Sequence, residues 1–174
     1  MTVIVAKITK TGFEIASDSI TTLGSTQSKG QNVSHNKLFE VNGMIIGGTG
    51  LAEESSLLRL FANSHRPNRA DELAMIEFMC EFSDWKNKKV GKSGIHNHYF
   101  ISFGGKVFAV KQWFISEVLT YDSIGAGRNF ALAAMYLGHS AEKAVETAIE
   151  LSTVCEAPIQ LIKYRKKRTR KKTA

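Results

Sequence analysis

The runs Thr2-Val3-Ile4-Val5-Ala6-Lys7-Ile8 and Phe13-Glu14-Ile15-Ala16-Ser17-Asp18, joined through Thr11-Gly12, decide the fold. β-Branched residues crowd the first run, Thr-Gly is turn chemistry, and the second run returns, so the chain opens on a β-hairpin. The same pattern recurs downstream. Lys37-Leu38-Phe39-Glu40-Val41, the turn Asn42-Gly43 and the run Met44 to Gly48 predict a second hairpin. Tyr99 to Phe103, the pair Gly104-Gly105 and Lys106 to Trp113 predict a third. A short strand is expected within Ile115 to Ser123 and a last one over Ile159 to Tyr164, while the polar stretch Ser25 to Asn36 reads as a loop.

Helices fill the intervals. One is expected from Ala52 to His65, with Leu57, Leu58 and Phe61 inward and Pro67 as its stop. A second spans Arg69 to Lys88, with Leu73, Ile76, Met79, Cys80 and Phe82 inward, and Lys88 to Asn97 follows as a basic loop. Asn129 to Leu137 is rich in alanine. Ser140 is placed to cap a last helix whose Ala141, Ala144, Val145, Ala148, Leu151, Ser152 and Cys155 keep a 3.6-residue period. Strands, two helices, strands, two helices and a strand is not the strict alternation of a doubly wound parallel sheet. It predicts an α+β fold in which two antiparallel sheets face each other under a helix pair on each side, a four-layer αββα sandwich. One domain covers residues 1–162, and a basic tail, read as disordered, covers 163–174.

Composition bounds the rest. At 174 residues, 43% hydrophobic and with two prolines, the chain is neither disordered nor a Pro-rich linker, and it can bury a core without staples. Cys80 and Cys155 both fall in apolar helical patterns, which predicts core thiols in a reducing compartment. No apolar run approaches the ~18 residues of a membrane span, and the first residues lack a basic leader. The expectation is a cytoplasmic protein with no membrane partner. Net charge is +7, but eight basic residues between Lys163 and Lys172 account for it and leave −1 on the rest. That run reads either as a phosphate-binding arm, with nucleic acid as partner through residues 163–172, or as a solvated tail. It has no interleaved aromatic to stack on bases.

Thr2 is where chemistry can start. Removal of Met1 would expose a terminal threonine, which carries nucleophile and base in one residue: the hydroxyl attacks and the α-amine takes its proton. That amine titrates near ~7.7–8.0, close to working pH. Asp18 ends the returning strand and Lys37 opens the next, so both fall toward the same sheet end as Thr2. A lysine held by a carboxylate beside a hydroxyl steadies the alkoxide. Gly48 ends a strand where a free backbone N–H would serve an oxyanion, worth about 3 kcal/mol. Spacing alone favours reading Asp18 and Lys37 as turn residues with an exposed ion pair worth under ~1 kcal/mol.

A resemblance bears on that choice. Thr2 to Lys7, Ile15-Ala16-Ser17-Asp18-Ser19, Thr22-Leu23-Gly24, Lys29-Gly30, Lys37-Leu38-Phe39 and Asn42 to Gly48 together resemble proteasome β-subunits and their bacterial relative HslV. Ile124-Gly125-Ala126-Gly127-Arg128 and the alanine-rich run after it resemble the family's glycine turn and following helix. The resemblance extends from Thr2 to about Cys155, with residues 65–100 and the tail poorly matched. It implies an N-terminal-nucleophile hydrolase fold and a threonine peptidase inside homo-oligomeric rings, acting on unfolded polypeptide, with an ATP-dependent unfoldase as a plausible partner. It places the nucleophile on Thr2, the carboxylate on Asp18, the lysine on Lys37 (Lys29 being the poorer candidate) and the oxyanion glycine on Gly48. No metal or cofactor is implied.

Two positions depart from the family pattern. Ala126 stands where the glycine turn carries a serine that assists the amine, and Ser152-Thr153-Val154-Cys155-Glu156 replaces a late aspartate, with Thr153 at its place and Glu156 a loose substitute. These departures motivate a second reading, a catalytically weak or inactive ring or scaffold of the same fold. His96-Asn97-His98 is expected to be a polar loop rather than a zinc site. Glu53, Glu54 and Arg59 read as solvent-facing charges, and Trp85 and Trp113 as either core or subunit contact.

Overall fold

The computed structural model describes residues 2–23, 26–28 and 36–166. In chain order the strands are β1 (Val3–Thr9), β2 (Gly12–Ser17), β3 (Thr21–Leu23), β4 (Thr26–Ser28), β5 (Leu38–Val41) and β6 (Met44–Thr49). Helices α1 (Ala52–Ala62) and α2 (Glu72–Val90) follow. Then come β7 (His98–Phe103), β8 (Lys106–Lys111), β9 (Phe114–Glu117), β10 (Tyr121–Gly125), α3 (Arg128–Tyr136), α4 (Ala141–Leu151) and β11 (Gln160–Arg165). One sheet runs β10-β1-β2-β11 and a second β5-β6-β7-β8-β9, with β3-β4 as a separate hairpin. Every pairing is antiparallel, as hairpin-built sheets require.

The unbroken apolar run of β1 is explained by burial on both faces. Val3, Ile4, Val5 and Ala6 are all fully buried. Val3 and Val5 pack on Ala131, Ala134, Ala144 and Ala148 of α3 and α4. Ile4 and Ala6 point the other way, into an inter-sheet core with Phe13, Ile15, Leu38, Phe100 and Val107. Each of the valine, isoleucine, leucine and phenylalanine side chains contributes about 1.5–3 kcal/mol by leaving water. A third cluster joins α1 and α2 to the second sheet through Phe61, Phe78, Phe82, Tyr99 and Phe108. The layers are therefore helix pair, sheet, sheet, helix pair, the αββα sandwich that the element order predicts.

Several local expectations change. The inward face of α2 is Ala74, Met75, Phe78, Met79, Phe82, Ser83 and Lys86. Leu73 is exposed, and so is Cys80, which is therefore not a core thiol. Helix α2 starts at Glu72, where the Asp71 side chain accepts from the Ala74 N–H at 2.9 Å, and ends with Gly91 left-handed at φ 68°. Ser140 caps α4 as expected, accepting from the Lys143 N–H at 3.2 Å. The stretch Ile115 to Ser123 holds parts of two strands, β9 and β10. The polar stretch from Ser25 contains β4, and residues 29–35 lie outside the described residues. Lys163 and Arg165 belong to β11, where Lys163 Nζ lies 3.3 Å from Glu14, so the sheet runs past residue 162. The tail reading otherwise falls on residues 167–174, outside the described residues. Trp85 packs against the core and Trp113 is exposed. No helix is long and apolar enough to cross a membrane among the described residues.

Candidate active site

The β1–β2 register pairs Ile4 with Ser17, which carries Asp18 past the strand end beside Val3 and Thr2. The bonds there are reciprocal: the Asp18 N–H donates to the Val3 carbonyl at 3.2 Å, and the Val3 N–H donates to Asp18 Oδ1 at 2.9 Å. Lys37, at the entry to β5 in the opposite sheet, brings its Nζ to the same Oδ1 at 2.8 Å. Asp18 is fully buried, and Thr2 and Lys37 are each 6% exposed. The Asp18–Lys37 pair is thus an inter-sheet bolt at the Thr2 end of the sandwich. Its exposed-turn reading is overturned by its burial.

Burial pushes the Lys37 ammonium below its ordinary value, and the adjoining Asp18 carboxylate offsets only part of that. The other Asp18 oxygen accepts longer bonds, 3.4 Å each, from the N–H groups of Ile20 and Glu156. Cys155 sits in the same neighbourhood. Burial pushes its thiol up and the Asp18 charge adds to that, which keeps it protonated and inert. The segment that reaches the pair from α4 is therefore Cys155-Glu156, whereas Thr153 is exposed.

The glycine turn holds Thr2 from the other side. The Gly127 N–H donates to the Thr2 carbonyl at 3.2 Å. Gly125 adopts φ +97°, and a Cβ there would stand 2.2 Å from the Thr2 carbonyl oxygen, so only glycine fits. Ala126, between them, is exposed and offers no hydroxyl.

Thr2, Lys37 and Gly48 line one cavity of about 280 Å³ together with Thr21, Thr22 and Gly50. One expectation about Gly48 changes. Its N–H is not free but donates to the Lys37 carbonyl at 3.3 Å, a bond at the long edge of the range. An oxyanion reaching this donor would have to share or displace that bond.

The rim of the cavity rests on a network that the sequence hides. Glu54 is only 4% exposed and takes the Lys86 ammonium at 2.7 Å, so its solvent-facing reading is wrong. Its Oε1 also accepts from the Asn97 N–H at 2.9 Å and the Tyr99 hydroxyl at 3.2 Å. Burial alone would raise the Glu54 carboxyl, but hydrogen bonds from Lys86, Asn97 and His96 outweigh it and hold the group below its usual range. The Asn97 side chain accepts from the Leu51 N–H at 2.6 Å and donates to the Leu51 carbonyl at 2.8 Å. Leu51 lines the cavity, so Glu54 and Asn97 fix its wall. Across the ladder His98 opens β7 and His96 precedes it, and no group of three or more metal-ligating side chains is gathered among the described residues.

Two hairpin-built antiparallel sheets between helix pairs put the chain in the proteasome-like fold class. Solved structures of that class superpose on the chain. BPH of Thiobacillus denitrificans, solved alone and in complex with epoxomicin, matches with a TM-score of 0.82 at 19% identity over 92% of this chain and 96% of that one. HslV from Trypanosoma brucei matches at 0.66 and 16% identity over 92% and 97% of the two chains. Anbu from Pseudomonas aeruginosa, solved as a helical assembly, matches at 0.71 and 13% identity over 94% and 81%. No family model matches the sequence. No curated protein matches it either. The likeness supports the resemblance read from the residues: the fold is that of the HslV-like and proteasome-like subunits.

Proposed function

We propose that the chain is a threonine-type endopeptidase of proteasome/HslV-like form, with Thr2 as nucleophile once Met1 is removed. The observation that carries this reading is the buried Lys37–Asp18 pair, whose carboxylate also holds the residue next to Thr2. A structural ion pair needs no such neighbour, and a lysine of lowered proton affinity facing the cavity of Thr2 suits an alkoxide.

The Thr2 hydroxyl attacks a peptide carbonyl and passes its proton to the Thr2 α-amine. The tetrahedral oxyanion is met by a backbone N–H, with Gly48 as the assigned donor once its long bond to Lys37 is shared. The C–N bond breaks as the ammonium returns its proton to the leaving amine, leaving an ester on Thr2. Water, deprotonated by the same amine, hydrolyses the ester and restores the hydroxyl. Asp18 holds Lys37 cationic beside the alkoxide.

Self-association belongs to the same reading. Phe114, Leu119, Tyr136 and Leu137 are each at least two-thirds exposed, and homo-oligomeric rings would cover such side chains. Rings would admit unfolded polypeptide, delivered by an ATP-dependent unfoldase. The second reading, a catalytically weak or inactive scaffold, draws on Ala126 and on the absence of an acidic side chain at Thr153.

The test is turnover of fluorogenic peptides by the purified chain, with Thr2→Ala as control. Turnover abolished in the variant supports the peptidase. Equal, background rates in both favour the scaffold.

A further inference from the structure

Beside the cavity of Thr2 lies a second one of about 290 Å³, and the two share Gly50. It is lined by Thr49, Gly50, His96, His98, Gly125 and Arg128, and the proposed mechanism uses none of their side chains. A guanidinium, two imidazoles and a hydroxyl converge there, and no carboxylate is among them. Behind His98 stands Lys111, its register partner on β8, whose ammonium is neutralised by Asp122 at 2.7 Å. Arg128 forms no ion pair among the described residues. The half-buried His98 is held below its usual range by desolvation first and then by Lys111 and Arg128.

Its position is fixed by the backbone that holds the nucleophile. Gly125 pairs with Val3 in the β1–β10 register, and the Gly127 N–H holds the Thr2 carbonyl, so Arg128 follows directly on the nucleophile's anchor. An extended peptide advances about 3.3 Å per residue, so a group one or two residues from the attacked carbonyl reaches an adjoining cavity. Peptides supply one anionic group suited to guanidinium and imidazole donors, the carboxylate.

We propose that this second cavity binds a carboxylate of the peptide substrate next to the scissile bond, giving the chain a preference for acidic peptides. Arg128 is the principal donor, with His98, His96 and Thr49 completing the shell. The identity of the ligand rests on the peptidase reading; the site itself does not.

The experiment measures binding rather than cleavage. Full-length protein carrying Thr2→Ala is titrated with fluorescent peptides that differ only in Glu against Gln, read by anisotropy. A further pair ends in a free or an amidated carboxyl group, which separates a side-chain carboxylate from a terminal one. The Glu peptide, or the free-acid peptide, is expected to bind about tenfold more tightly than its neutral twin, as a charge-assisted bond allows. Adding Arg128→Gln should reduce that ratio to about one. Arg128 is an exposed side chain, so the fold should survive, and a thermal melt checks it. Equal binding of acid and neutral twins, no binding of either acidic peptide, or discrimination that persists without Arg128 overturns the proposal. Turnover of the unmodified chain separates the two readings. Discrimination without any turnover sinks the peptidase and keeps the site. Equal kcat/KM on both twins sinks the site and keeps the peptidase.

Discussion

Lys37 Nζ and the Val3 N–H converge on one oxygen of Asp18, at 2.8 and 2.9 Å, in a protein where Glu54–Lys86 is the other buried ion pair among the described residues. A single carboxylate therefore ties the lysine of one sheet to the residue after Thr2 in the other. Removing one partner of a buried pair leaves an unpaired charge and costs about 3–5 kcal/mol. Asp18→Asn and Lys37→Met should each lower stability on that scale, read as a reduced denaturation midpoint. Turnover should fall roughly 100- to 1,000-fold for Lys37→Met, the range seen when one electrostatic stabiliser is lost.

Lys37 also has a pH signature. Its folded proton affinity lies below the ordinary 10.5, so between the two values the unfolded chain binds the extra proton. Stability contributed by this group therefore rises with pH across that window. The difference in unfolding free energy between the parent and Lys37→Met should shift accordingly, and an NMR titration of the lysine Cε signals should show one midpoint below 10.5. Turnover should decline on its alkaline side at that same midpoint, because the cation is what steadies the alkoxide.

Glu54 is read by acid. Its folded carboxyl titrates below 4.5, so its contribution is present above that value and is lost as pH falls through the lowered one. Glu54→Gln should cost about 3–5 kcal/mol near neutrality by stranding the buried Lys86. The gap between parent and variant should narrow as pH drops below 4.5, which denaturant melts over an acid series would register. Because Asn97 carries the effect on to Leu51, KM should rise as well.

The αββα layering was legible because its signals are local: β-branched runs, Thr11-Gly12 and Asn42-Gly43 turns, and the alanine period of α4. Glu54 and Lys86 were not legible. An acid in the first turn of a helix reads as a surface charge that complements the dipole, and Lys86 stands in the basic run Lys86-Asn87-Lys88-Lys89. Only the loop at Gly94–Asn97, brought in from elsewhere, buries them. The phase of α2 misled for a related reason, since Leu73 and Cys80 are outward while Ser83 and Lys86 are inward. At the candidate site, strand ends brought Thr2, Asp18 and Lys37 toward one sheet end, and the family resemblance is what singled them out. That the Gly48 N–H faces the Lys37 carbonyl depends on the β5–β6 register, which residue types alone do not specify.

Ala126 offers a gain-of-function test. It sits between the two glycines that grip Thr2 and lacks a hydroxyl. Ala126→Ser adds an acceptor and donor near the terminal amine, and a hydrogen bond of about 1 kcal/mol there should raise kcat severalfold. KM should stay where it is, as steady-state kinetics on one peptide would reveal.

The central claim is a free terminal threonine acting beside Lys37. Intact-mass spectrometry of the purified chain, before and after incubation with a threonine-directed covalent inhibitor, reads it in one experiment. The account predicts a chain lacking Met1 that gains one inhibitor mass, located on Thr2 by fragmentation and absent from Thr2→Ala. A chain that retains Met1, or a Met1-free chain that gains no mass, contradicts it.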